Sequence, residues 1–418
     1  MNNKANIQAG ALQFVVFISV VIAILLAAFV VLTHTHTFFK KQSDAVVETV
    51  KKADAGIQYA LVKDIALNDS TGLPFFKENK ASVRVYRDYW GVFEKITAVS
   101  GIGNKKFTKI ALTGRQFAQE DRPALYLQDQ HKPLILVGDT RIEGTVYVPE
   151  KAVRPGNISG HAYQGSVLVS GAIKKSGVEL PLLPQELLTH LRLVSRQEIP
   201  ADAEVRSLPS ADGLMSRSFT QSAPYIYSPG TLDLNGLKIS GNITVYAGKK
   251  IIVTASSQLH DVVLAAPEIE IRDGVQGRFQ AIASEKIGVG KNVLLHYPSA
   301  LAVLEEEPEE EHQISIGENT IVKGIVLFLG EEKPNNFSPQ VTLESGAAIC
   351  GELYCDQNIA LKGRVEGSVY TANFIVQHSG SVYQNHIFNG TISGKNLPKV
   401  YAGLSPGTTK KSVIQWLY

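Results

Sequence analysis

The sequence predicts a mainly β protein. Its body reads as a parallel β-solenoid, a right-handed β-helix, carried on an N-terminal transmembrane helix with a small membrane-proximal α+β region between the two. Three observations predict this. Short apolar segments recur at a fixed spacing from about Lys250 to Val376. An uncharged apolar stretch near the amino terminus is long enough to cross a bilayer. Between them, a helix-period pattern gives way to alternating, strand-like segments.

Residues 1–10 form a short polar leader and 11–32 the transmembrane helix. From Ala11 to Leu32 the chain is uncharged, and no charge occurs between Lys4 and Lys40. About 22 residues at ~1.5 Å each span ~33 Å, enough for the ~30 Å hydrocarbon core. A cleaved secretory signal has a shorter apolar region and a small-x-small cleavage site, which Ala27 and Ala28 supply poorly. The segment therefore reads as a permanent single-pass anchor in the lipid bilayer. Lys4 on one flank and Lys40 and Lys41 on the other leave the positive-inside count close to a tie. His34 and His36 follow the apolar run, but two imidazoles are too few for a metal site, and they read as a polar collar. Residues 33–66 continue as an amphipathic stalk helix. Val46, Val47, Val50, Ile57, Ala60 and Leu61 fall at mostly three- and four-residue spacings.

A polar leader ending in Gly10, an immediate hydrophobic helix, and an extension carrying Ala53-Asp54-Ala55-Gly56-Ile57 resemble the N-terminus of type IV pilin-like proteins. The resemblance is to the atypical minor pilins and pseudopilins and covers about the first 60 residues. It implies cleavage between Gly10 and Ala11, export of the remainder, and assembly with envelope, pilus or type II secretion-like proteins. Val15 departs from the pattern, since most pilins carry Glu at that position. The other reading of these residues is a plain signal anchor followed by a stalk.

Residues 67–132 read as a β-rich module. Asn68 to Pro74 breaks the helix. Ser82–Trp90 alternates, and Val92–Val99 and Lys106–Leu112 follow as two more strands around a turn at Ser100–Asn104. Residues 133–171 contain Gly-x-Val patterns and read as early coils of the solenoid. Residues 172–225 read as an insertion: a helix over Pro184–Arg196 with Leu187, Leu188, Leu191 and Val194 on one stripe, then a flexible linker.

Residues 226–378 carry the repeat. Four-residue segments begin at Lys250, Glu268, Lys286, Gln313, Gln340 and Asn358. The steps are 18 residues except for two of 27, and each long step holds an obvious insertion, Glu305–Glu311 or Gly330–Ser338. The second and fourth positions are apolar in every copy, as for a strand with one buried face. A seventh column of Ser256, Gly274, Asn292, Asn319, Gly346 and Arg364 reads as a corner, because Gly and Asn accept left-handed backbone angles. Stacked coils would set each column in a ladder with ~4.8 Å steps. The stricter six-residue period of left-handed hexapeptide helices fails at Gly277. Residues 379–418 read as a C-terminal cap.

Segments such as Gly351-Glu352-Leu353 and Gly363–Tyr370 make the repeat similar to the bactofilins over about Ile239–Val376. That family implies polymerisation through the ends of short β-helices, often at a membrane, with no nucleotide cofactor. The long N-terminal part and the two inserted loops depart from it. Unpaired strand edges at the ends of a solenoid also give self-assembly a physical basis.

No stretch specifies a reaction. Lys plus Arg number 41 against 39 Asp plus Glu, which gives no reason to expect nucleic acid. The two cysteines, Cys350 and Cys355, exclude a disulfide scaffold or a cysteine zinc cluster and read as buried or free thiols, with a local disulfide as the alternative. Asp261, Asp273 and Asp356 occupy different columns, so the paired carboxylates of a polysaccharide-cleaving site are not expected among them. One column, His260, Arg278, His296, Lys323, Cys350 and Ser368, sets out a ladder whose first four members could face an anionic polysaccharide or lipid headgroup; a solvated face is the plainer reading. The expectation is a non-enzymatic, membrane-anchored scaffold of the bacterial envelope, without metal or cofactor. A membrane-tethered, bactofilin-like polymer on the cytoplasmic side is the alternative.

Overall fold

The computed structural model describes residues 9–73, 81–150, 152–209, 213–305, 312–331, 333 and 336–417. The acidic run thus lies outside the described residues beyond Glu305, as does most of the leader. The protein is mainly β with one long N-terminal helix, α1, unbroken from Ala9 to Val62. Its apolar part is long enough to cross a membrane, with a mean hydropathy of 3.3 over the most apolar 18 residues, none of them buried.

The last quarter of α1 packs on a five-stranded antiparallel sheet. Strands β1 (Ser70–Gly72), β2 (Ala81–Trp90), β3 (Phe93–Ile102) and β4 (Lys105–Arg115) lie in that order, and the C-terminal strand Lys411–Leu417 completes the edge beside β4. Alternation sends Val83, Val85, Ile96, Ala98 and Ala111 towards Ala53, Ile57 and Ala60 of the helix. The opposite face, with Phe93, Ile110 and Leu112, joins a second apolar layer contributed by the body. The sheet is therefore the middle of three layers. Fully burying a side chain such as Ile57 is worth about 1.5–3 kcal/mol.

The body is inserted between β4 and the C-terminal strand. Its strands pair mostly in parallel, with antiparallel exceptions at Asn157–Ile158 against His161–Ala162 and at Ile375–His378 against Ser381–Gln384, and close on themselves around an apolar interior. The expected register is observed: Lys250 pairs with Glu268, Glu268 with Lys286, Lys286 with Gln313, Ile314 with Val341, and Val341 with Ile359. Both insertions are spanned without a slip, because a slip of one residue would turn every inward side chain outward. Gly274, Asn292, Asn319 and Gly346 make the corner with φ of 72°, 56°, 58° and 76°.

Four expectations need correction. The last repeat is shorter: its corner is Lys362-Gly363 in place of a four-residue turn such as Glu344–Ala347, so Ala348 pairs with Arg364 and Cys350 with Glu366. Arg364 and Ser368 thus leave the columns assigned to them. Residues 133–171 are not early in space. Leu125 pairs with Val369, Val146 with Leu125 and Ile173 with Val146, so this segment, beginning already at Pro123, stacks beyond the last repeat. Any parallel strand edge accepts another, so chain order does not dictate stacking order.

Residues 379–418 do not form a cap either. Thr391–Ser393 adds a rung against Arg364–Glu366, and the chain then returns to the membrane-proximal sheet. The 172–225 linker is likewise built in. Val205–Arg206 and Leu214–Arg217 are strands of the body, and helix α2 (Gln185–Ser195) lays Leu187, Leu191 and Val194 on the body's outer face.

One buried side chain of the body reaches into the joint with the module. Gln280, fully buried in the body, accepts a hydrogen bond from Val92 N at 2.6 Å and donates to Trp90 O at 3.0 Å, clasping the β2–β3 turn. Gly91 between them has φ 59°, and a Cβ there would collide with the Gln280 amide. Replacing Gln280 with Ala leaves a buried donor and acceptor unsatisfied. We expect a loss of about 2–4 kcal/mol in chemical denaturation, with early proteolytic nicking at residues 90–92.

Candidate assembly interface

Most of the exposed large apolar residues among the described ones lie on α1. From Ala9 to about Glu48 it touches little of the chain, and it projects ~60 Å at ~1.5 Å per residue. Packing starts at Thr49, whose carbonyl accepts from Ser100 Oγ at 2.6 Å. The Ala53–Ile57 stretch does the docking. Ala53 and Ile57 are fully buried, and a Cβ on Gly56 would sit 3.0 Å from both Ala98 and Val83, so Gly at this position allows close approach. Asp54 pairs with Lys109, whose Nζ lies 4.1 Å from the centre of the Trp416 ring on the C-terminal strand. Gly10 and Ala11 stand in the first turn of the helix, exposed. Thr33, Thr35 and Thr37 bond back to the carbonyls of Phe29, Val31 and Thr33 at 2.8 Å, which hides their hydroxyls. His34 and His36 are exposed, and two residues apart on a helix they face different sides.

A cleft of about 460 Å³ marks the joint of α1, sheet and α2. Arg87 is buried there and bonds to Glu94 at 2.7 Å, Glu186 of α2 at 2.6 Å and Ile65 O at 3.0 Å, while Lys411 reaches Glu94 at 3.0 Å. Burial works against the Arg87 charge, but Glu94 and Glu186 outweigh it and move its pKa up. His190 of α2 stacks on Tyr89 at 5.4 Å, and burial lowers its pKa to about 4, so it docks as the neutral ring. Further along, the buried Glu352 carboxylate takes Leu404 N at 2.6 Å, Ser405 N at 3.0 Å and Ser405 Oγ at 2.6 Å, which ties down the segment leading to the C-terminal strand. Burial raises its pKa and these donors oppose the rise.

The basic ladder is not continuous. His260 and Arg278 are paired neighbours, but Arg278 is held by Asp261 at 2.8 and 2.7 Å, and Gln415 of the C-terminal strand lies against the same carboxylate at 3.3 Å. His296 is exposed. Lys323 pairs with Cys350, and the next rung is the acidic Glu366. Cys355 is fully buried, and burial pushes the half-buried Cys350 thiol up to about 11; both are free. Among the described residues no group of three His, Cys, Asp or Glu is gathered as for a metal.

Asp261 and Asp273 have different partners, with Asp273 accepting Lys291 N at 2.7 Å. Asp356 has a neighbour that aspartates alone did not disclose. Glu305, at the root of the first insertion, interacts with it through space, and Asp356 accepts Gly330 N at 2.9 Å at the root of the second. Glu305 also meets His312 at 3.3 Å, Lys333, and Gln357 Nε2 at 2.9 Å, so the two insertions are fastened together. The signal was present in the columns: Phe328 pairs with Cys355, which sets Gly330 and Asp356 one residue apart across the rung.

Burial, aided by Glu305, raises the Asp356 pKa to about 7. The folded protein then keeps a proton that the unfolded chain has released. The contribution of this group to stability is full below about pH 4 and is lost as pH rises through about 7. Asp356→Asn, which still accepts from Gly330, should flatten that decline and gain about 1–3 kcal/mol over the parent at pH 8, as read from denaturation midpoints across pH 4–8.

No protein-family model matches the chain, and no curated protein matches it in sequence; neither comparison supports the bactofilin-like reading of the repeat. Among solved structures, the chain is similar to the competence-associated pilin ComZ from Thermus thermophilus, at 11% identity over 89% of this chain and 96% of that one. The TM-score is 0.21, too low to carry an inference about fold or function.

Proposed function

We propose that the chain is a non-enzymatic, pilin-like structural component of the bacterial envelope. Helix α1 anchors it, the sheet fixes the helix end, and the parallel body, read as a right-handed β-solenoid, is the scaffold it presents to pilus or secretion-type partners. One observation carries this reading. A single helix leaves about 40 apolar and mixed residues uncovered and buries its end on an antiparallel sheet, with the Ala53–Ile57 stretch at the contact. Helices that project so far from a domain need a bilayer or neighbouring helices to cover them. No reaction is assigned, and purified protein should not turn over acidic polysaccharide.

The test is the mass of the mature N-terminus from protein isolated from its native membrane. A chain beginning at Ala11 is the expected result and supports processing and export. A chain still beginning at or near Met1 would leave a plain anchor and overturn the pilin-like reading.

The second reading, a membrane-tethered polymer on the cytoplasmic side, differs in topology. The native thiols are poor reporters, being buried or half-buried with a raised pKa. Ser381, exposed on the body, is a better position. With both native cysteines replaced, Ser381→Cys should react with a membrane-impermeant maleimide from outside the inner membrane. Reaction only after lysis would favour the cytoplasmic polymer.

A further inference from the structure

One column of parallel pairs runs the whole length of the body. It starts Arg206–Ile226–Val245 and ends Leu125–Val146–Ile173. The linking rungs pass through Leu264, Leu301 and Val369 without a break in direction. Every inner member from Ile226 to Val146 is apolar and 0% exposed. Both end members are exposed, Ile173 at 52% and Arg206 among the exposed residues, and among the described residues no strand pairs with their outer edges.

The two ends belong to the same column with the same polarity. Each therefore presents the edge that the other continues. A second copy placed end to end would extend the ladder in parallel, a head-to-tail contact that does not close on itself. In register, Ile173 of one copy would lie against Arg206 of the next. The neighbouring inward position, above the buried Val148, holds Lys175.

We propose that the body carries two mutually complementary ends for a second copy of this chain, and that Arg206 and Lys175 keep them apart. Arg206 stands at the end of a column that is otherwise apolar, and Lys175 at the end of one that is mostly apolar, with the buried Thr371 among its inner members. Joining would move them from water into an apolar rung, where an ion without a good partner is costly. In the free chain each is held at the solvent side by a local carboxylate: Arg206 by Glu204 at 2.7 Å, and Lys175 by Glu150 at 3.0 Å. Inward-pointing charge on a short edge strand is an established means of blocking strand addition. The two residues act as gatekeepers, and the ends beneath them match.

The experiment compares sedimenting mass of the full chain in detergent micelles over a range of concentrations. The parent sets the baseline, which includes any association through α1. Arg206→Val with Lys175→Val should raise the mass at least twofold above that baseline, in a concentration-dependent way. Adding Ile173→Asp to the double variant should restore the baseline. Arg206→Val alone should give a partial rise, and serves if the double variant loses its parental unfolding transition. A folded double variant, or a folded single variant where only that one folds, that sediments like the parent would overturn the proposal. So would a parent whose own mass falls on Ile173→Asp, because the ends would then already be joined.

Discussion

The architecture depends on one antiparallel sheet having both faces buried. On one side Val83, Val85, Ile96 and Ala98 receive α1; on the other Phe93, Ile110 and Leu112 join the body's outer layer. A sheet with a single buried face would tether the body through a hinge. With two, the helix axis and the body are held in one fixed relation, and a force on either end is transmitted through packed side chains.

Polar contacts secure what the apolar layers bring together. Gln280 clasps the β2–β3 turn, Arg87 links the sheet to α2 through Glu94 and Glu186, and Glu352 holds the returning segment at Leu404 and Ser405. Each is buried, so each is expensive to break from one side only. The last of them has a topological consequence. The C-terminal strand can complete the sheet beside β4 only after the whole body has been formed or brought close, because about 295 residues separate the two strands.

The body combines a strict interior with a permissive exterior. Its inward columns tolerate no slip, yet two insertions leave the stack at adjacent rungs and are fastened to each other by Glu305, Lys333 and Gln357. Variation is thus confined to the outside of the corners, where added length costs little. Fixed register inside and free length outside are thereby kept separate.

Much of this was legible in the sequence, for a definite reason. Column periodicity, the alternation of β2 and the apolar run of α1 are local patterns, each produced by one element's need to bury one face. Lys250, Glu268, Lys286 and Gln313 could be placed in register from spacing alone, and so could the corner at Asn292 and Asn319. Spacing could not say which strand pairs with which once the chain leaves the regular repeat. Parallel edges are interchangeable, so only tertiary packing placed Leu125 and Val146 beyond Val369 and returned Trp416 to the first sheet. The same limit applied to the basic ladder. Its first members pair in order, but the bulge that brings Asp261 onto Arg278 and the shortened corner that substitutes Glu366 for Ser368 are decided by how neighbouring strands pair, which no single segment encodes.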